Sequence, residues 1–214
     1  MDRRKFLKQS TFILASASLA SPLLNAKKLI AGDIKSESFS FDIITDDADK
    51  AAVLGEQLVK EAYPHAKKII VSEYQLAGIH TGDIVYMKDN RLVNYKSGIS
   101  DISADLRQIS KELDLPRKLN NPSCIRFGTE KNGTSDSYYV FHKNVLVKKI
   151  DASISRNSYS IQGTRGNVVI ETKDNKARVV DSSCTHKTCM SMKSIGRSSE
   201  YIVCIPNEIQ IVAA

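Results

Sequence analysis

Ser183-Cys184-Thr185-His186-Lys187-Thr188-Cys189, followed downstream by Ile202-Val203-Cys204-Ile205-Pro206-Asn207, holds three of the four cysteines in a chain of 214 residues. Around these two segments the helical period is absent. Short runs near 158–162, 167–172, 176–181, 200–205 and 208–212 alternate apolar and polar side chains, as half-buried strands do. Thr164-Arg165-Gly166-Asn167, Lys173-Asp174-Asn175 and Pro206-Asn207 supply turns between them. The spacing predicts a small all-β barrel or sandwich over 156–214. So short a unit buries little apolar surface, so a covalent or metal staple among its sulfurs is expected.

Upstream the pattern changes. Phe39, Phe41 and Ile43 alternate with Ser40, Asp42 and Ile44, which predicts a strand. Thr45 or Asp46 can cap a helix over 47–62, where Ala51, Leu54, Leu58, Val59 and Ala62 share one face. A second helix is expected over about 102–114 from Ile102, Leu106, Ile109 and Leu113, and Pro116 stops it. Further strands are expected at 68–71, 83–87, 92–95, 123–128, 137–142 and 145–150, the second and third joined by the turn Lys88-Asp89-Asn90-Arg91. The expected class is therefore α+β: an N-terminal α+β sheet domain over 39–152, its helices on one face, then the small all-β domain over 156–214.

The formal net charge is +7, of which residues 1–26 contribute +3 (Arg3, Arg4, Lys5 and Lys8 against Asp2), leaving +4 for the remainder. That balance, spread among many acids, does not indicate a nucleic-acid groove. No run of 18 or more uninterrupted apolar residues is present. The opening Asp2-Arg3-Arg4-Lys5-Phe6-Leu7-Lys8 precedes a weakly apolar run from Thr11 to Leu24 and then Asn25-Ala26. It resembles the twin-arginine export consensus, with Arg3, Arg4, Phe6, Leu7 and Lys8 in its positions and Asp2 where a hydroxyl residue is usual. The resemblance implies a signal over 1–26 cleaved after Ala26, with Ala20 and Ala31 as the alternatives, a linker over 27–38, the twin-arginine translocase as a partner and a periplasmic location. Such substrates cross the membrane folded, many with a cofactor already inserted.

Two family resemblances meet at the cysteines. Val168-Val169-Ile170-Glu171, Lys176-Ala177-Arg178-Val179-Val180, the Cys184-x4-Cys189 pair and Val203-Cys204-Ile205-Pro206-Asn207-Glu208-Ile209-Gln210-Ile211 resemble the second domain of NusG in its stand-alone exported form. Many such exported proteins occur beside membrane redox and flavin-carrying proteins, and the likeness implies a fold more strongly than a reaction. Cys184-Thr185-His186-Lys187-Thr188-Cys189 also resembles the first box of Rieske iron–sulfur proteins. The second box is matched in spacing by Cys204-Ile205-Pro206-Asn207-Glu208, but Asn207 stands where a Rieske centre needs its second imidazole.

Three readings of Cys184, Cys189 and Cys204 stay open at this level. In an oxidising compartment two of them form a structural disulfide, the third being free or paired with Cys124. Together with His186 they offer a Cys3His set for zinc. With an altered cluster they would make an iron–sulfur electron carrier. The expected function is a periplasmic accessory or interaction protein, non-enzymatic and without a cofactor, serving a membrane redox protein, with the electron carrier as the alternative. Thiol-exchange catalysis ranks lower because Cys-x4-Cys is not the Cys-x-x-Cys spacing.

Other candidates are weaker. Ser97-Gly98-Ile99-Ser100 faintly resembles a covalent-flavin acceptor but reads better as a loop with Ser100 or Asp101 capping the second helix. Asp46, Asp47 and Asp49 suit a helix start better than calcium. His65, His80 and His142 are scattered, without a catalytic context.

Overall fold

A computed structural model describes residues 11–12, 39–64, 66, 69–129, 133–154 and 156–214. The proposed signal residues Arg3, Arg4, Phe6, Leu7 and Lys8, the cleavage point, the linker and His65 lie outside the described residues.

The elements run β1 (Thr11–Phe12), β2 (Phe39–Thr45), α1 (Ala48–Ala62), β3 (Ile69–Gln75), β4 (Ile79–Gly82), β5 (Ile84–Lys88), β6 (Arg91–Val93), α2 (Asp101–Glu112), β7 (Arg117–Asn120) and β8 (Ser123–Thr129). They continue as β9 (Ser137–His142), β10 (Val145–Asp151), β11 (Asn157–Gly163), β12 (Gly166–Lys173), β13 (Lys176–Ser182), α3 (Thr188–Ser191), β14 (Tyr201–Cys204), a 3-10 turn (Ile205–Asn207) and β15 (Ile209–Ala213). Both long helices begin on a side-chain cap: Asp47 accepts from Lys50 N, and Ser100 accepts from Ser103 N. Three hairpins turn on two residues in the left-handed region, Asp89-Asn90, Lys143-Asn144 and Asp174-Asn175, the geometry that matches strand twist.

Four antiparallel sheets result. Their orders are β1-β3-β8-β2-β5-β6, β10-β9-β15-β14, β11-β12-β13 and the pair β4-β7. On the six-stranded sheet the period of two sorts side chains cleanly. Phe39, Phe41, Ile43, Ile84, Tyr86, Ile125 and Phe127 meet Ala51, Leu58 and Val59 of α1 and Leu106 and Ile109 of α2. Helix α1 sits close because Gly55 has no side chain; a Cβ there would lie 2.3 Å from the Phe127 ring.

The opposite face of that sheet is also buried. Val85 and Met87 pack on Tyr201, Val203 and Val212 of the four-stranded sheet. The far side of the four-stranded sheet, with Val140, Ile202, Cys204 and Ile211, closes on Ile161, Val168, Ile170 and Val179 of the three-stranded sheet. The order is helices, sheet, sheet, sheet.

This corrects the expected α+β class. Half of the described residues are in strands and a fifth in helices, so the chain is a β-rich fold of several antiparallel sheets and not a distinct N-terminal α+β domain followed by an all-β one. The physical reason is that the two helices cover only one face of one sheet. The other face carries Val85, Met87 and the carboxylate of Asp42, and it is buried by strands from the C-terminal half. Strands β9 and β10 likewise share a sheet with β14 and β15.

At the seam between the two larger sheets, Asp42 is fully buried. It accepts two hydrogen bonds from the Arg126 guanidinium, both 2.7 Å, and one from the Tyr201 hydroxyl, 2.8 Å. The guanidinium also lies 4.2 Å from the Tyr201 ring centre. A buried ion pair with its lone pairs filled is tolerated, whereas removing either partner strands a charge. Among the described residues, no helix is long and apolar enough to cross a membrane.

Candidate functional site: a buried three-sulfur cluster

Strand β13 ends at Ser182, and the loop that follows brings in Cys184. Lys187, in the left-handed region, turns the chain into the single turn of α3, which carries Cys189. Strand β14 ends on Cys204, after which Ile205-Pro206-Asn207 winds into the 3-10 turn and Glu208, again left-handed, releases the chain into β15. Three local chain reversals thus aim three side chains at one point. Their Sγ atoms all lie within 4.8 Å of one another, and the residues are 4%, 1% and 3% exposed in chain order. All four cysteines are free thiols.

Two polar side chains organise the sulfurs. Ser182 Oγ donates to Cys184 Sγ at 3.3 Å and lies 3.6 Å from Cys204 Sγ. The Asn207 amide donates to Cys204 Sγ at 3.5 Å and to Ser182 Oγ at 3.3 Å. Its own oxygen accepts from Arg165 N at 3.0 Å, and its backbone carbonyl accepts from Thr164 N at 3.1 Å. The close fit depends on Gly163, where a Cβ would meet Asn207 at 2.7 Å. Asn207 is therefore a buried brace whose amide donates to the Cys204 sulfur and to the Ser182 hydroxyl.

Hydrogen bonds and burial pull the sulfurs apart in acidity. The Cys204 thiol is lowered, chiefly because Cys189 donates to it, with Ser182, Asn207 and Cys184 adding to the effect against burial. Cys189 is raised because its proton is held in that bond and because it is buried. Cys124 stands elsewhere, packed with Ile44 and Leu76 on the six-stranded sheet, and burial pushes its thiol up, aided by the Asp42 charge.

The three cysteines line a cavity of about 250 Å³ together with His186, and its other wall is Val85 and Asp83 of the first half. His186 is half-buried and lies outside the sulfur group. His80 is buried nearby but already engaged. Its Nε2 donates to the Ala77 carbonyl and its Nδ1 accepts from the Thr188 hydroxyl, both at 2.9 Å, which fastens α3 to β4. His142 pairs with Thr164 Oγ1 at 3.1 Å. Ser97 to Ser100 form the approach to α2, with Ser100 as its cap, and Asp47 caps α1 while Asp46 pairs with Arg117 at 2.6 Å.

Sequence reasoning singled out the cysteines and missed Ser182, Asn207 as a brace, and the His80–Thr188 link. The first two sit at strand ends beside cysteines, a signal that was legible. The last spans 108 positions and leaves no local trace.

A family model described as NusG domain II matches residues 122–213. The match begins with β8 and takes in β9 and β10, upstream of the segment in which the sequence likeness is visible. No curated protein matches. Among solved structures, a DUF1312 family protein from Ruminococcus gnavus is 18% identical, covers 36% of this chain and 94% of its own, and superposes with a TM-score of 0.31. One from Enterococcus faecalis is 20% identical, with 36% and 94% coverage and a TM-score of 0.34. The Lin0431 protein from Listeria innocua is 12% identical, with 37% and 94% coverage and a TM-score of 0.34.

Proposed function

We propose that this chain is an exported, non-enzymatic accessory protein that works in the periplasm by interaction with a membrane redox system, and that two of its three clustered cysteines close into a disulfide there. The observation that carries the reading is the convergence of three buried sulfurs within 4.8 Å of one another. Sulfur so placed is chemically competent, and at least one pair can close with a small movement of the loop or of α3. The bond forms by exchange with a disulfide of an oxidising partner. One thiolate attacks it and the first partner thiolate leaves; a second thiolate of the cluster then displaces the other. Two electrons and two protons pass to the partner, which departs as a dithiol.

An iron–sulfur electron carrier fits the donor set less well. A Rieske centre needs two imidazoles, and among Cys184, His186, Cys189 and Cys204 there is one, while Asn207 spends its amide on Ser182 and Cys204.

The test is a mass measurement on protein recovered from the periplasm and alkylated without reductant. One disulfide linking two of Cys184, Cys189 and Cys204 is expected, with the precursor retained in the cytoplasm when Arg3 and Arg4 are both replaced by Lys. Recovery of three alkylatable thiols from the cluster, or export indifferent to the double replacement, overturns the proposal.

A further inference from the structure

We propose that the reduced cluster is a zinc site in which Cys184, Cys189 and Cys204 supply three thiolate ligands and the fourth corner opens into the cavity. The inference rests on the same three sulfurs as the function proposed above and names a ligand for them.

Zinc–thiolate bonds of about 2.3 Å at tetrahedral angles place sulfurs about 3.8 Å apart. The three Sγ atoms already lie within 4.8 Å of one another, so they reach that spacing by shifts of about an ångström or less. A disulfide requires one pair to contract to about 2.05 Å, a larger departure from the arrangement the fold builds. In the reduced form the fold thus presents a triangle of donors close to the spacing a metal requires.

The surroundings fit a metal thiolate. Metal-bound sulfur carries charge that buried sites offset with nearby hydrogen-bond donors. Ser182 Oγ donates to Cys184, and the Asn207 amide donates to Cys204, itself held by the Arg165 and Thr164 backbone amides. Three elements of the chain contribute one sulfur each, so an ion would tie the loop after β13, α3 and β14 together. His186 lines the cavity yet stands outside the sulfur group, so the fourth corner faces the cavity of about 250 Å³. Three protein ligands and one open position is the pattern by which zinc accepts an exogenous ligand.

The experiment uses the full chain, reduced and stripped of metal under anaerobic conditions, then titrated with Zn2+ against a chromophoric chelator and, separately, with Co2+. One Zn2+ per chain and a Co2+ spectrum with thiolate charge-transfer bands are expected. Cys204→Ser should weaken Zn2+ binding at least about 100-fold and Ser182→Ala about 10-fold, while His186→Ala stays within about threefold. Because a cysteine variant can misfold, the wild-type chain is also alkylated with and without Zn2+ and mapped by mass; protection of Cys184, Cys189 and Cys204 together is expected. No Zn2+ uptake at micromolar metal, uptake that survives in Cys204→Ser, or protection of fewer than three of these cysteines overturns the site. A loss above about 30-fold in His186→Ala overturns the open corner. The disulfide assay on periplasmic protein is independent, so either proposal can fail while the other stands.

Discussion

The outer ends of the layered stack bury their surfaces by different means. At one end, α1 and α2 cover the six-stranded sheet mostly with aliphatic and aromatic side chains, drawn close by Gly55 against Phe127. At the other, the three-stranded and four-stranded sheets close on each other with sulfur in the core. The contrast is sharpest between two buried strand cysteines. Cys124 sits among Ile44 and Leu76, where burial and the Asp42 charge push its thiol up. Cys204 is nearly as buried, but Cys189 and the Asn207 amide direct hydrogen bonds at it and its thiol is lowered. At Cys124 burial and a neighbouring carboxylate outweigh the Tyr74 hydrogen bond, whereas at Cys204 the hydrogen bonds outweigh burial.

Predictions follow that contrast. The largest effect is expected at the seam holding both ends together. Asp42→Asn leaves the Arg126 guanidinium without its carboxylate and should cost about 3–5 kcal/mol in urea denaturation, whereas Asp42→Asn with Arg126→Met should recover much of the loss. An unchanged midpoint in the single variant would mean the two layers do not rely on this pair. Next, oxidising the sulfur cluster should stabilise the protein by about 2–4 kcal/mol over its reduced form, and Cys124→Ser should leave that difference intact. If the gap closes in Cys124→Ser, the two cysteine environments are chemically coupled and the contrast between them fails. At the helical end, Gly55→Ala should cost about 1–3 kcal/mol by forcing α1 off the Phe127 ring, with no change in thiol alkylation at the cluster. The smallest effect is Ser100→Ala, about 1 kcal/mol from the lost cap of α2, read as a lower thermal midpoint.

Much of the local structure was legible because its causes are local. Phe39, Phe41 and Ile43 declared a strand by alternation, Ala51, Leu58 and Val59 a helix face by spacing, and Asp89-Asn90 and Asp174-Asn175 their hairpins by turn chemistry. The α+β class was wrong for a reason the pattern could not reveal. Asp42 reads as the solvated side of an amphipathic strand, yet it is fully buried because Arg126 and Tyr201 neutralise and saturate it from other strands. Strand β4 was missed because its partner β7 lies beyond α2, and α3 because a single turn of helix has too few residues to show a period.

The sequence alone determined that Cys184, Cys189 and Cys204 fall in a strand-rich segment with no second imidazole at Asn207, since spacing and residue type are written in the chain. Only the tertiary structure decided that the three sulfurs converge within 4.8 Å against a wall supplied by Val85 and Asp83, and that the six-stranded sheet is buried on both faces. The physical reason is range. Alternation, caps and turns act over a few residues, whereas a cavity wall and a buried charge pair depend on which surfaces meet, and that is settled by packing the whole chain at once.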